Sequence, residues 1–190
     1  MEMNDETQEF SYWPSVGLAS VLMGIVMFAI STITGYVQIN SEPTGAIFQP
    51  AYFGYIFLCL IGAFTGMLAV WHFARESGQP FTLGKGALIG FLAGVGVVII
   101  SSVLGQLWNL IDPNFKDQMM KSMIANVDAM SNIPEDARKT QIDAIAQQFR
   151  ESGSITGILK QMAYGIPFYG VLNLLTGLIG VKLFAKEKEV

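Results

Sequence analysis

Residues 86–111 read GALIGFLAGVGVVIISSVLGQLWNLI, twenty-six positions without a Lys, Arg, Asp or Glu. A helix needs about 20 mostly apolar residues to cross a bilayer, so this stretch is long enough for one crossing. Three more uncharged windows lie along the chain, at 10–41, 43–74 and 161–181. Each can hold one crossing, which makes four spans. Hydrophobic residues are 52% of the 190 and charged residues 14%. A soluble domain carries about 25% charge. The composition therefore excludes an ordinary water-soluble enzyme. A net charge of −4 offers no basic footprint for nucleic acid. A single cysteine, Cys59, excludes a disulfide scaffold.

The windows set the expected boundaries. Residues 1–12 form an acidic polar tail without a Lys or Arg, unlike the basic start of a cleaved signal peptide. The first span is expected from Trp13 to Val37, the second from Ala51 to Phe73 and the third from Gly84 to Ile111. Residues 13–111 thus hold three transmembrane helices with short loops. Tyr12, Trp13, Tyr36 and Trp108 suit the membrane interfaces. Residues 154–190 hold the fourth helix and a polar tail. Lys160 and Pro167 leave that helix with two readings. One is a single kinked helix over Ile158–Phe184, which is preferred, and the other an interfacial turn followed by a crossing over Ile166–Ala185.

Residues 112–153 differ in kind, holding twelve of the charges. Asp112-Pro113 reads as a helix start. From there Phe115, Met119, Met123, Val127 and Met130 fall on one helical face. Pro134 opens a second amphipathic stretch with Ile142, Ile145, Ala146 and Phe149 on one side. The expected architecture is all-α, an integral membrane four-helix bundle with an amphipathic helical hairpin between the third and fourth spans. The Met-rich face fits three roles: packing on the second hairpin helix, lying in the lipid interface, or holding a partner protein.

Four spans put both termini on one side. The 38–50 loop has no base, which places it and the hairpin outside and the termini in the cytoplasm.

Gly86, Gly90 and Gly94 recur every fourth residue, and Gly62 and Gly66 do the same in the second span. Small residues at this spacing let helix backbones approach closely in lipid. Polar groups within the windows are few and neutral. Ser101, Ser102, Gln106, Asn109 and Asn173 are the candidates for a polar pathway, with interhelical hydrogen bonding as the plainer role. No carboxylate or histidine lies at mid-membrane depth, which argues against a proton-coupled pump. His72 stands alone, so no metal cluster or nucleophile pattern forms around it. No catalytic, cofactor or metal site is expected.

The chain opens its first span with Trp13-Pro14 and enters the third through Gly78-Gln79-Pro80-Phe81-Thr82-Leu83-Gly84-Lys85-Gly86. It leaves that span through Ile111-Asp112-Pro113 and carries a Met- and Gln-rich insert before the last. In these features it resembles the small bacterial membrane proteins grouped as domain of unknown function 4199, common in Bacteroidetes. The resemblance implies a four-span inner-membrane protein and supplies no catalytic or binding residues. The leading expectation is a non-enzymatic accessory or scaffold protein whose hairpin docks a membrane protein partner or the lipid interface. The alternative is a small transporter or channel subunit whose pathway is built by homo-oligomerisation.

Overall fold

The computed structural model describes residues 10–46 and 49–185, which form seven helices and no strand. The expected acidic leader falls largely, and the KEKEV tail wholly, outside the described residues. The first span is α1 (Trp13–Asn40), and the second is split into α2 (Pro50–Ala63) and α3 (Thr65–Ser77). The third is α4 (Leu83–Ile111). The hairpin is α5 (Phe115–Asp128) and α6 (Glu135–Ser152), and α7 (Ile155–Phe184) is the fourth span. Four segments are long and apolar enough to cross a membrane: α1, the α2–α3 pair, α4 and α7. The chain is a four-helix membrane bundle with a helical hairpin before its last span.

Local chemistry sets the boundaries. Pro14 occupies the first turn of α1, where its missing N–H costs nothing. Gly78 ends α3 in the left-handed conformation at φ 59°, which glycine enters without steric cost. Thr82 and Ser154 cap α4 and α7 by accepting the backbone N–H of Lys85 and Gly157. α7 runs without interruption through Pro167, in keeping with the single-helix reading of the fourth span.

Two expectations need correction. The second span is not one helix, because it breaks at Phe64 for a reason given below. Asp112 also does not cap α5. The chain turns through Pro113 and Asn114, and Asp112 instead accepts the Tyr36 hydroxyl at 2.6 Å and the Asn114 N–H.

α7 packs most closely on α4 and then on α3, with α1 on the other side of α4. The main buried cluster lies toward the end that carries the termini. It joins Val16, Ala19, Val70, Phe73, Ile89 and Val181. A smaller cluster of Met27, Val97 and Val98 sits at mid-depth. Large apolar side chains such as Phe53, Phe57, Val103, Leu175 and Ile179 point outward. In lipid this is no penalty, since the hydrocarbon is as apolar as leucine.

α1 has 28 residues, roughly 42 Å at 1.5 Å per residue, against about 30 Å of hydrocarbon. Its excess length forms a post for the hairpin. Phe115 lies against Gly35, where a Cβ would collide with the ring. Ser122 Oγ donates to the Gln38 carbonyl at 2.7 Å and accepts from Gln38 Nε2. Asn126 accepts the N–H groups of Thr44 and Gly45 and donates to the Ala46 carbonyl.

Candidate functional site

Asn173 occupies the junction of three helices and is fully buried. Its Oδ1 accepts the Gly66 N–H at 2.6 Å, and its Nδ2 donates to the Gly62 carbonyl at 3.1 Å. In an unbroken helix Gly66 N–H would donate to Gly62 C=O, four residues back. The Asn173 amide has inserted itself into that bond and satisfies both halves. Thr65 Oγ1 also donates to the Gly62 carbonyl, and Thr176 Oγ1 donates to the Ala63 carbonyl at 2.6 Å. This explains the break at Phe64. Non-helical backbone at membrane depth is tolerated only where other groups meet its hydrogen bonds.

The glycines allow this approach. A Cβ on Gly66 or on Gly90 would run into the Asn173 carbonyl oxygen, and one on Gly94 into the Tyr169 backbone. Gly86 faces the Val181 side chain and Gly62 the side chains of Tyr169 and Met27. Their counterpart on α7 is Gly177, which meets the Gly86 and Gly90 backbone and was not singled out from the sequence. Its signal was present in Gly170, Gly177 and Gly180, less regular than the every-fourth run in α4.

Toward the hairpin the helices separate and enclose a partly open cavity of about 420 Å³. Its lining is graded along the membrane normal. Met27, Val98 and Tyr169, near the middle of their spans, form the deep part with Leu58, which packs against the same cluster. Ser31, Thr32, Ser101, Ser102 and Gln106 come next, with Asn109, Lys116, Ser152 and Gln161 nearest the hairpin. Phe115 and Met119 of α5 and Phe149 of α6 form the roof.

Several of these polar groups lack protein partners. Asn109 Nδ2 donates to Gln106 Oε1 and the Gly105 carbonyl, and Ser101 to the Val98 carbonyl. Ser31, Thr32, Ser102 and Gln161 make no side-chain hydrogen bond among the described residues. Lys116 is half-buried with no ion pair among them, and loss of solvent lowers its ammonium below the usual value. No described carboxylate lines the cavity. The adjoining cleft holds Glu151 and Lys160, 3.0 Å apart, which cancel each other's charge. Hydrogen bonds from Gln147 and Lys160 hold the Glu151 carboxyl below its usual range.

The residues singled out from the sequence therefore divide. Ser101, Ser102, Gln106 and Asn109 share the cavity wall, whereas Asn173 is locked in the glycine junction and does not line it. The α5 stripe does not stand free either. Met119 and Val127 are 9% and 7% exposed, and Phe115, Met123 and Met130 are half-buried. The face lies against α1, α6 and the 41–46 loop because the α1 post and Asn126 draw the hairpin down onto the bundle.

Ser15 Oγ lies 2.9 Å from His72 Nδ1, linking α1 to α3. Sequence reasoning left both residues unpaired, since their separation of 57 positions carries no local signal. Ser15 is 1% exposed, so the pair works as an interhelical tie and not as an accessible nucleophile. Among the described residues no group of three His, Cys, Asp or Glu could hold a metal ion.

A family model described as "Protein of unknown function (DUF4199)" matches residues 17–182. No curated protein and no solved structure matches the chain.

Proposed function

The chain belongs to the DUF4199 family, whose function is unknown, and on that premise we propose a non-enzymatic accessory protein of the bacterial inner membrane that binds a small molecule in its hairpin-capped cavity. One observation carries this reading. The cavity combines a volume within the range of small-molecule sites with polar groups that have no protein partner among the described residues. Each hydroxyl or amide left unmet in an apolar setting costs roughly 1–3 kcal/mol. A bound molecule or water meets that need. The lipid bilayer is the solvent for the spans. The hairpin surface open to a protein partner or a second copy is the outer side of α6, where every residue is at least partly exposed, and not the α5 stripe.

The transporter-subunit reading draws support from four of the five expected pathway residues lining one cavity. Against a through-path stands the α3–α4–α7 junction, closed by Asn173 and its glycines. In the proposed topology the termini are cytoplasmic and the hairpin is outside. Labelling of Ser131→Cys in a Cys59→Ala background by an impermeant reagent on intact cells tests it, and protection of that cysteine reverses it.

Native mass spectrometry of the protein released from a mild detergent tests the binding reading. The wild type is expected to carry a non-covalent adduct of small-molecule mass. Ser102→Trp, which fills the cavity, should lose most of it while unfolding at a similar temperature. Equal adduct in both proteins, or none in either, overturns the reading.

A further inference from the structure

The proposed binding function leaves the ligand open, and the wall of the cavity narrows it. We infer that the cavity takes an anionic amphiphile, one hydrocarbon chain lying along Met27, Leu58, Val98 and Tyr169 with its negatively charged oxygen head group at Lys116. This inference rests on the small-molecule reading above and adds the chemical class.

Three features carry it. The first is the gradient in the wall. The deep part is apolar, and the serines, amides and Lys116 lie in the half toward the hairpin, beside Trp108 and beneath the roof of Phe115, Met119 and Phe149, which matches a molecule oriented like a membrane lipid. The second is charge. Lys116 is the one charged residue among the described lining residues, and no described carboxylate lies within ion-pair distance of it. Asp112, in the turn before α5, already accepts from Tyr36 and Asn114 through its two oxygens, and Asp117 is paired with Lys121. Glu151 in the adjoining cleft is paired with Lys160. A half-buried ammonium without a counter-charge is unfavourable, and an anionic head group at this position relieves it. The third is the supply of polar donors. Gln161, in the same layer as Lys116, makes no side-chain hydrogen bond among the described residues and can donate to head-group oxygens, while Thr32 and Ser102 lie one layer deeper.

Other classes fit worse. A cation would face Lys116 with no carboxylate among the described lining residues to hold it. A purely apolar molecule would leave the hydroxyls and amides unmet. Carboxylate- and phosphate-headed amphiphiles share the chemistry that the wall recognises, and the experiment separates them.

The protein is placed in phosphatidylcholine nanodiscs. Dodecanoate, dodecyl phosphate and dodecanol then compete against a fluorescent fatty acid, for the wild type, Lys116→Gln, Lys116→Arg and Ser102→Trp. At least one anionic probe should bind about tenfold more tightly than dodecanol. That preference should vanish in Lys116→Gln and survive in Lys116→Arg. Whichever anion is preferred names the head group. Equal binding of dodecanol and both anions, unmoved by Lys116→Gln, overturns the inference but leaves the small-molecule reading intact, provided Ser102→Trp still blocks binding. Failure of every probe, with a Ser102→Trp that changes nothing, overturns both.

Discussion

At the end that carries the termini, α3, α4 and α7 approach until the backbones of Gly66, Gly90 and Gly177 touch their neighbours. At the hairpin end a cavity opens beside the same α4 and α7, and it holds hydroxyls, amides and an ammonium that makes no ion pair among the described residues. The difference follows from residue size and placement. Where small residues recur every fourth position, lipid-embedded helices gain most by close packing. Gly105, nearly two turns from the end of α4, has nothing within 4 Å of where a Cβ would stand. It adjoins the open volume instead of a neighbouring helix. One end is built to hold the fold and the other to hold something else.

Substitutions at the two ends should separate these roles, starting with the largest effect. Gly90→Leu drives a side chain into the Asn173 carbonyl and should cost about 3–4 kcal/mol, read as loss of the folded fraction in mild detergent. A leucine tolerated there would mean that the seam is looser than its geometry. Asn173→Ala frees Gly66 N–H and leaves Gly62 C=O with Thr65 Oγ1 as its side-chain donor. It should cost about 2 kcal/mol, since one buried donor is orphaned and one further hydrogen bond is lost. Hydrogen exchange should then rise at residues 62–66 before it rises elsewhere.

Effects at the hairpin end should be smaller. Tyr36→Phe removes the hydrogen bond to Asp112 and should cost about 1 kcal/mol, with faster exchange confined to α5. An increase reaching α3 would erase the contrast between the ends. Lys116 gives a pH signature. Burial lowers its ammonium below the usual 10.5, so between the folded value and 10.5 the unfolded chain holds more protons. Stability should therefore rise with pH across that window, and Lys116→Met should flatten the rise in denaturation curves. Ser101→Ala should change stability by about 0.5 kcal/mol or less, since that hydroxyl bonds only a carbonyl of its own helix.

The legible part of the fold came from windows of uncharged residues. The starts and ends of α4 and α6, and the start of α1, are within one residue of expectation. α1 runs three residues further and the second span four, because polar residues extend helices past the hydrocarbon. The break at Phe64 was not legible. Its cause is Asn173, more than a hundred residues downstream, whose amide competes for a backbone bond. The division of the polar candidates was equally hidden. Asn109 and Asn173 are the same residue type in similar surroundings by sequence, yet one lines a cavity and the other closes a junction.

Charge spacing by itself determined that lipid is the solvent for four segments, because length and composition alone decide whether a helix can cross hydrocarbon. Tertiary structure decided which faces meet. It turned the α5 stripe inward, drew Asn173 into a helix break and set Lys116 above an apolar recess with no counter-charge among the described residues. Those outcomes depend on distances between residues far apart in the chain, and a periodic pattern carries no such distance.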